Sequence, residues 1–382
     1  MVKLTDNQMR ISLKREVDES YDLLFGENLF SQIASDLRDK PLGERYAIVT
    51  DSNVRRLYAE SLESRLKDAR LTTATFSFEA GEHNKTIENC MRVMDEMSRL
   101  KFGRDVAILA LGGGVVGDMA GFMAAIFNRG VPYIQIPTTV LAQADSSIGG
   151  KTAVDTEYGK NLVGAFKQPE RVYIDVATLT TLSNKDYASG LAETIKHGVI
   201  QDAEFFRYLS ENVHLMTGRS PEFLLNMVRN NCRIKGNVVE IDPHEKGLRR
   251  ILNYGHTAGH AIEKLSVDKY DRKESDGYLS HGEAVAIGMM VAGRIANALG
   301  YLSQEELAEQ EKLLLAACLP TKIPSTISDE GIIEVTSRDK KAKNGQARYV
   351  LPVALGKMND FNGVYATYVD NKVVVDALQQ TR

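Results

Sequence analysis

The sequence predicts an α/β protein with an N-terminal parallel-sheet domain, residues 1–183, followed by a mostly α-helical C-terminal domain, residues 184–382. Two observations support this fold class. In the first half, short apolar runs alternate with amphipathic helical runs, a pattern typical of a parallel sheet with helices on both faces. After residue 184 the strand signals fade, and helical runs are expected at 186–210, 221–241, 257–266, 283–299 and 304–317.

The predicted strands follow one another at regular intervals. Residues 9–17 alternate apolar and polar side chains and predict an edge strand. Buried strands are predicted at 46–50, 72–78, 106–111 and 133–137, and a last strand at 349–353. A chain of 382 residues with 43% hydrophobic residues is long enough to bury two sizeable cores.

Charge and cysteine content restrict the class of protein. The chain has 47 basic and 51 acidic residues, so it lacks the basic excess of proteins that bind nucleic acids or membrane surfaces. It shows neither a signal peptide nor an apolar run of about 18 residues. The scattered residues Cys90, Cys232 and Cys318 indicate a reducing compartment. We therefore expect a cytoplasmic protein without nucleic-acid or membrane partners.

A glycine-rich turn follows the strand predicted at 106–111. Glycines 112–114 precede a helical run, and this arrangement exposes backbone amides and a helix N-terminus to a pyrophosphate. The turn lacks the G-x-G-x-x-G spacing and does not follow the first strand, so an ordinary Rossmann dehydrogenase is a poor match. The alternative is that the glycines only allow close packing of helix and strand. Thr138 and Thr139, after the strand at 133–137, are expected at the same sheet edge.

Three histidines and one glutamate have the pattern of metal ligands. His256 and His260 lie four residues apart, so a helix would place both on one face, and His281 begins another helical run. Together with Glu193, two imidazoles and a carboxylate with positions left open suit a catalytic divalent metal. Taken alone, the pair of His256 and His260 is equally typical of structural histidines.

Several cations lie among these segments. Lys151 and Lys160 each follow a glycine, which indicates cations presented on tight backbone and hence an anionic substrate. The alternative is that both are ordinary surface lysines in loops. For Lys196, Lys235 and Arg249 the alternative is a surface ion pair or a solvated helix face.

Six motifs, in the family's order, resemble those of the 3-dehydroquinate synthase family of the shikimate pathway. They occupy residues 112–121, 145–151, 159–161, 191–196, 248–257 and 280–284. The resemblance covers nearly the whole chain, from Asp51 to the motifs at 339–341 and 350–352. It implies a Rossmann-like N-terminal domain that binds NAD and a helical C-terminal domain that holds zinc, with cobalt as a substitute. It also implies a homodimer in which Arg129 reaches the site of the partner subunit.

The resemblance also implies roles for individual residues. The metal ligands are Glu193, His256 and His281. NAD is expected across Gly113, Gly114 and Val115, with Lys85, Asp118, Thr138, Thr139, Lys151 and Lys160 nearby and Asp51, Asn53 and Glu82 toward the adenosine end. The substrate and catalytic positions are Lys151, Lys196, Lys235, Arg249, Lys340 or Lys341, Arg129, Asp145, Asn161, Asn253 and His260. His260 is expected to relay a proton, the alternative being structural support.

The implied reaction converts a phosphorylated sugar acid, 3-deoxy-D-arabino-heptulosonate 7-phosphate, into 3-dehydroquinate and phosphate. It proceeds by transient oxidation with NAD, β-elimination, re-reduction and aldol closure, so the cofactor is recycled. Two other enzymes remain as alternatives: a sugar phosphate cyclase whose substrate lacks the carboxylate, and a metal-dependent polyol dehydrogenase that releases NADH. The first reaction is favoured by Lys235, Arg249, Asn253 and the group at 339–341, which resemble the family's carboxylate and phosphate contacts. A non-enzymatic binding module would have no use for a complete metal triad beside a dinucleotide-binding turn. The segment 264–279 is longer than expected for the family, which leaves the loop geometry before His281 open.

Overall fold

The computed structural model describes residues 11, 13–14, 16–269, 278–337 and 346–382. The strands are β1 (Asp22–Gly26), β2 (Arg45–Asp51), β3 (Thr72–Phe78), β4 (Val106–Gly112), β5 (Tyr133–Pro137), β6 (Lys151–Thr156), β7 (Gly159–Phe166), β8 (Arg171–Asp175), β9 (Arg348–Tyr349), β10 (Pro352–Ala354), β11 (Lys357–Met358) and β12 (Thr367–Tyr368). The α-helices are α1 (Phe30–Asp39), α2 (Ser52–Val54), α3 (Glu60–Asp68), α4 (Ile87–Arg99), α5 (Gly114–Ile126), α6 (Asn184–Gln201), α7 (Ala203–Glu211), α8 (Val213–Thr217), α9 (Pro221–Ile241), α10 (His256–Lys269), α11 (His281–Ala298), α12 (Gln304–Ala316), α13 (Asp329–Ser337) and α14 (Asn371–Gln380). Short 3₁₀ and π-helical turns lie at Arg55–Ala59, Glu82–Asn84, Phe127–Arg129, Ala142–Ser146, Val176–Thr181 and Leu248–Asn253.

Six parallel strands form one sheet in the order β1-β8-β5-β4-β2-β3. The chain runs from β2 outward to β3 and then returns to the other side of β2 as β4. The connections that leave β2 and β4 therefore diverge, and the carboxyl ends of these strands form the crevice where open α/β sheets bind ligands. Asp51 ends β2 and Gly112 ends β4, so the glycine turn lies at this crevice.

The four buried strands predicted in the sheet are confirmed as β2, β3, β4 and β5. The edge strand predicted at 9–17 is wrong for the described residues there, since none belongs to a strand; residues 9, 10, 12 and 15 lie outside the description. Ile11, Leu13 and Val17 are exposed instead. Alternation alone does not make a strand, because its backbone groups also need a partner strand. The sequence analysis missed β1 and β8, which complete the sheet.

The helical C-terminal half is confirmed, with one break. Residues predicted as a single helix at 186–210 form α6 and α7, because the side chain of Asp202 accepts a hydrogen bond from Phe205 N at 2.9 Å and caps α7. Ile174 of β8 and Ile195 of α6 belong to one buried apolar core. The sheet and the helices therefore pack directly on each other, and the division at residue 183 stays a prediction.

Strands β6 and β7 form an antiparallel hairpin that packs on α5. Lys151 begins β6, and Lys160 lies in β7. Gly149 and Gly150 have φ of +93° and +66°, a backbone conformation that favours glycine. The tight backbone predicted before Lys151 is therefore confirmed, and it turns the chain into the hairpin.

Two further observations concern the described chain as a whole. No helix in the described ranges combines the length and the apolar character needed to cross a bilayer. Cys90, Cys232 and Cys318 are free thiols, and the first two are buried. Their lack of pairing agrees with their scattered spacing along the chain.

Candidate active site

Three helices bring the predicted metal ligands together. Glu193 lies in the middle of α6, His256 begins α10 and His281 begins α11. Gly282 lets the start of α11 lie directly against α6, because a Cβ at this position would come within 1.9 Å of the Ser189 carbonyl oxygen. The close approach places His281 beside Glu193, which explains why the two helices meet at this point.

The geometry of these residues fits a divalent metal. Glu193 Oε1 lies 3.4 Å from His256 Nε2 and 3.6 Å from His281 Nε2. Ligand atoms about 2.1 Å from a tetrahedral zinc ion would lie about 3.4 Å from one another. Both carboxylate oxygens of Glu193 are buried, and apart from the ion pair with Lys196 they have no hydrogen-bond partner among the described residues, as expected of atoms that coordinate a cation. The ligand set predicted from the sequence is therefore brought together.

Neighbouring groups orient both imidazoles. His256 Nδ1 donates to the Tyr254 carbonyl oxygen at 3.0 Å, and His281 Nδ1 donates to Glu263 Oε2 at 3.0 Å. With Nδ1 engaged in each ring, Nε2 is the nitrogen left for a metal, and it is the atom that faces Glu193. Glu263 was not among the predicted site residues.

Charges around Glu193 set the protonation of the metal-free cluster. Burial alone would raise the pKa of Glu193, but the Lys196 ammonium and the two histidines outweigh burial and hold this pKa below its ordinary value. Burial lowers the pKa of His256 to about 3, against the attraction of Glu193. Burial also disfavours charge on His281, but the nearby carboxylates of Glu193 and Glu263 outweigh burial and raise its pKa to about 10. At neutral pH one ligand histidine is therefore neutral and the other is an imidazolium.

The glycine turn after β4 offers bare backbone at the sheet edge. Gly113 is the N-cap of α5 and provides no capping side chain, so the helix N-terminus is suited to a phosphate. A Cβ at Gly113 would come within 3.0 Å of Thr139 Cγ2, and one at Gly114 within 3.2 Å of Ser146 Oγ. The remaining predicted residues of this edge are Val115, in the first turn of α5, and Thr138, directly after β5.

Other residues predicted near the cofactor form ion pairs around this edge. Lys85 Nζ lies 2.6 Å from Asp118 Oδ2 and 2.6 Å from Asn161 Oδ1, which ties α5 to the hairpin. Burial raises the pKa of Asp118 to about 6 despite the Lys85 ammonium. Lys160 Nζ lies 3.7 Å from Glu82 Oε1. The predicted residues thus share one cluster, while their contacts with a cofactor stay predictions.

Asp51 and Asn53 have structural partners at the end of β2. Asp51 Oδ1 accepts hydrogen bonds from the amides of Asn53 and Val54 at 2.8 and 2.9 Å, and so caps the following helix. Asn53 Oδ1 accepts from Arg56 Nη2 at 2.6 Å. Both residues lie at the crevice between β2 and β4, and their role toward the adenosine end of a cofactor stays a prediction.

The predicted substrate cations lie beside the metal cluster and are largely buried. Lys196, on α6, forms an ion pair with Glu193, and neither side chain is more than 1% exposed. Lys235 Nζ, on α9, lies 2.7 Å from Asp145 Oδ1. Arg249 is 2% exposed, and its Nε is buried without a hydrogen-bond partner in the described chain. The surface ion pairs that were the alternative for these three cations are therefore excluded.

Asp145 connects the cations to the glycine turn, because its neighbour Ser146 packs on Gly114. His197 Nε2 lies 3.7 Å from Asp145 Oδ1. Burial alone would raise the pKa of Asp145, but Lys235 and His197 outweigh burial and hold it well below its ordinary value. The sequence analysis missed His197, since a lone histidine inside a helical run carries no ligand spacing.

One acidic residue, Glu245, contacts two further residues that are predicted to bind the substrate. Glu245 forms an ion pair with Lys151, and its Oε1 accepts a hydrogen bond from Asn253 Nδ2 at 2.8 Å. Glu245 lies in the loop between α9 and the 3₁₀ turn Leu248–Asn253. It was also missed, because nothing in its local sequence separates it from the other acidic residues of the chain.

The predicted site residues that remain to be described are His260, Arg129, Lys340 and Lys341. His260 lies beside the metal cluster, with its ring centroid 5.1 Å from that of His256 and 5.8 Å from that of His281. Arg129 is exposed in the turn after α5, with φ of +70°, and its role in a partner subunit stays a prediction. Lys340 and Lys341 lie outside the described residues, as do residues 270–277 of the segment 264–279.

Comparison with known proteins identifies the family. The model of the 3-dehydroquinate synthase N-terminal region matches residues 75–189, and the model of the 3-dehydroquinate synthase C-terminal region matches residues 190–342. The 3-dehydroquinate synthase of Desulforamulus reducens is 44% identical over 347 residues, which cover 91% of this chain and 94% of that protein.

Solved structures share the fold. A 2-deoxy-scyllo-inosose synthase complexed with carbaglucose-6-phosphate, NAD+ and Co2+ is 27% identical with a TM-score of 0.85, over 94% of this chain and 96% of that chain. The 2-epi-5-epi-valiolone synthase of Streptomyces hygroscopicus, with NAD+ and Zn2+ bound, is 27% identical with a TM-score of 0.84, over 98% of this chain and 99% of that chain. The predicted fold class, a Rossmann-like sheet domain with a helical C-terminal domain, is thereby confirmed. From its sequence motifs, its fold and these relatives, the chain belongs to the 3-dehydroquinate synthase family.

Proposed function

We propose that this chain catalyses the 3-dehydroquinate synthase reaction of the shikimate pathway. Its substrate is 3-deoxy-D-arabino-heptulosonate 7-phosphate, and its products are 3-dehydroquinate and phosphate. The observation that carries the proposal is that contacts link three features: the cluster of Glu193, His256 and His281, the glycine turn, and a set of buried cations.

The cofactors proposed are NAD and one divalent metal, zinc or cobalt as its substitute. The turn at Gly113 supports NAD, and the buried carboxylate of Glu193, which faces two imidazoles and the Lys196 ammonium, supports the metal. Related synthases contain NAD+ with Co2+ or Zn2+. When bound, NAD supplies a reversible hydride acceptor and the metal a Lewis acid that lowers the pKa of an alcohol. The donor atoms of the chain suit both groups.

The cations of the chain select an acidic, phosphorylated substrate. Lys196, Lys235 and Arg249 are nearly fully buried, and burying cations is costly unless anions accompany them. Asp145 and Glu193 pair with Lys235 and Lys196, whereas the buried Nε of Arg249 has no hydrogen-bond partner in the described chain. A substrate with both a carboxylate and a phosphate would complete the charge balance, and a neutral polyol would not. The set of cations therefore supports a sugar-acid phosphate and disfavours a polyol dehydrogenase.

We assign proton handling to His260. It lies one turn beyond His256 on the same face of α10, but its ring lies to the side of the cluster formed by Glu193, His256 and His281. It is exposed toward solvent, so it can exchange a proton with the substrate hydroxyl and with water. Lys196, held against Glu193, orients the carboxylate of this residue.

The proposal is tested by supplying the metal-loaded protein with NAD and 3-deoxy-D-arabino-heptulosonate 7-phosphate, and assaying phosphate and dehydroquinate together. Equal amounts of the two products are expected. An analogue in which the carboxylate is replaced by a hydroxymethyl group should not be turned over, because it leaves the buried cations unpaired. Turnover of the analogue but not of the acid would assign the chain to a different cyclase reaction.

A further inference from the structure

A buried histidine of α6 faces the carboxylate of Asp145. His197 Nε2 lies 3.7 Å from Asp145 Oδ1, and the same oxygen lies 2.7 Å from Lys235 Nζ. The first distance is too long for a hydrogen bond, and His197 Nε2 is buried without a hydrogen-bond partner among the described residues. Leaving a buried polar atom unpaired is costly. The position of this nitrogen therefore calls for a partner that the contacts in the structure do not supply.

The ring of His197 is held in place from its other side. His197 Nδ1 lies 2.9 Å from Asn231 Oδ1, and Asn231 Nδ2 donates to Thr194 Oγ1 at 3.1 Å. A hydroxyl can donate or accept, so the amide of Asn231 can serve Nδ1 in either of its two orientations. A carboxylate only accepts, so Nε2 must carry a hydrogen if it is to attract Asp145. The contacts on Nδ1 thus aim an N–H group at the carboxylate.

Asp145 is the least confined member of this group. Its side chain is 23% exposed, whereas those of His197 and Lys235 are 0% and 7% exposed. Lys235 Nζ also donates to the backbone carbonyl oxygen of Asp145, a contact that does not depend on the carboxylate. A movement of Asp145 Oδ1 by about 1 Å would bring it within hydrogen-bond distance of His197 Nε2. The carboxylate can therefore exchange one donor for the other by a movement of its side chain.

The charges explain why such an exchange would assist anion binding. Lys235 is a predicted substrate contact, yet its ammonium is already paired with Asp145. An anion that binds Lys235 would lie beside the Asp145 carboxylate, and two like charges in one site repel each other. A second donor that faces the carboxylate would stabilise it once Lys235 has turned to the anion. His197 is placed to be this donor.

We propose that His197 is a positioning residue whose Nε2–H group replaces Lys235 as the partner of the Asp145 carboxylate when an anionic group of the substrate binds Lys235. The anionic group is a carboxylate or a phosphate, because an ammonium can donate to either. Without this histidine, the carboxylate would either stay on Lys235 or lie unpaired beside the substrate. The inference deepens the proposed function and rests on it for the identity of the substrate.

The exchange of partners can be observed on the imidazole itself. Protein labelled with nitrogen-15 in its seven histidines is loaded with zinc and NAD+ and titrated with inorganic phosphate and, separately, with malonate. The imidazole signals that are absent from His197→Gln belong to His197. We expect the Nε2 proton of His197 to shift downfield as at least one of the anions saturates the protein, because a shorter hydrogen bond deshields the proton. The anion that causes the shift identifies the substrate group that Lys235 binds.

Calorimetry with the same two anions measures what the exchange contributes to binding. His197→Leu removes the donor but keeps a buried side chain of similar size, and His197→Gln keeps a side-chain N–H group. We expect His197→Leu to bind at least one anion about tenfold more weakly, as for the loss of a hydrogen bond to a charged group, and His197→Gln to bind it within about twofold of the original protein. His214→Leu, at an exposed position of α8, is the matched control and should change neither affinity.

A role in stability alone predicts a different pattern, in which His197→Leu unfolds at lower urea concentration but keeps its anion affinities. Unchanged affinities in His197→Leu, equally weak binding by His197→Gln, or no shift of the His197 proton with either anion overturns the proposal. If His197→Leu does not fold, the proton shift in the original protein decides. These measurements need no turnover. The expected results in a protein that makes no dehydroquinate would reject only the proposed function, and an active enzyme without the proton shift would reject only the exchange of partners.

Discussion

His281 Nδ1 lies 3.0 Å from Glu263 Oε2, and the other oxygen of the same carboxylate lies 2.5 Å from Lys160 Nζ. Glu263 thus joins a candidate metal ligand in the helical half of the chain to the hairpin beside the candidate NAD site. A carboxylate behind a ligand histidine fixes the ring and makes it a stronger donor to the metal. The same contact also couples the two halves of the site.

We predict that Glu263→Gln weakens zinc binding by about 10- to 100-fold, because the amide no longer fixes and polarises the His281 ring. The affinity can be measured by competition with a chromophoric chelator, without an activity assay. Glu309→Gln, on the exposed face of α12, is the charge-matched control and should bind zinc like the original protein. Equal zinc affinity in all three proteins would show that Glu263 does not act on the metal.

Metal binding should release a proton at neutral pH. The pKa of His281 in the metal-free chain is raised to about 10 by its two carboxylate partners, so the imidazolium must lose a proton to bind a metal. Metal affinity should therefore rise by about tenfold for each pH unit from about 7 to 9. Without metal, the stability that this imidazolium contributes is present below the ordinary histidine pKa and is lost as the pH rises through about 10. Zinc titrations in buffers of different ionisation enthalpy report the proton directly, and no buffer dependence would contradict this prediction.

The glycine turn can be tested by adding a side chain. In Gly113→Val the new methyl groups would meet Thr139, which already lies within 3.0 Å of a Cβ at this position, and would cover the backbone expected to face a pyrophosphate. We expect the affinity for NAD+, measured by calorimetry, to fall by more than tenfold, about 1.4 kcal/mol. Gly236→Ala is the control, because a Cβ there meets nothing within 4 Å. Unchanged NAD+ affinity in Gly113→Val would place the cofactor elsewhere.

A homodimer with a shared site makes a specific prediction for mixed subunits. If Arg129 of the partner subunit completes each site, Arg129→Ala and Lys151→Ala are each inactive alone. Mixing them should restore part of the activity, because one of the two sites in a mixed dimer then carries neither change. Differently tagged subunits show whether exchange has occurred. Exchange without any return of activity would mean that Arg129 acts within its own subunit or not at all.

The sequence predicted those parts of the site that depend on local patterns. Glu193, His256 and His281 stand in short motifs at helix positions, and the glycine turn follows an apolar strand, so local sequence patterns predict both. They do not predict Glu263 and Glu245, because the roles of these residues depend on partners distant in sequence. Lys160 is 103 residues from Glu263, and Lys151 is 94 residues from Glu245. No local pattern encodes such a contact.

The strands of the sheet also differ in how well local sequence patterns predict them. β4 is buried at every position, and a continuous apolar run of this kind is recognisable in the sequence. β1 has an exposed first residue followed by partly buried residues, so its short run carries no clear period. Residues 9–17 do alternate with a clear period, yet the described residues there form no strand. The periodicity of apolar residues indicates which side chains could share one face of a strand. Whether the segment pairs as a strand depends on the other strands of the sheet.

We propose that this chain uses NAD within a closed cycle of oxidation and reduction, and the amount of NADH formed for each phosphate released tests this proposal. The metal-loaded protein is given 3-deoxy-D-arabino-heptulosonate 7-phosphate and NAD+ at a concentration comparable with the enzyme, and phosphate and the absorbance of NADH are followed together. We predict that phosphate release continues for many turnovers while NADH does not accumulate, because each hydride returns to the substrate before the product leaves. One equivalent of NADH for each phosphate released, with turnover stopping when NAD+ is exhausted, would contradict the account and favour a dehydrogenase.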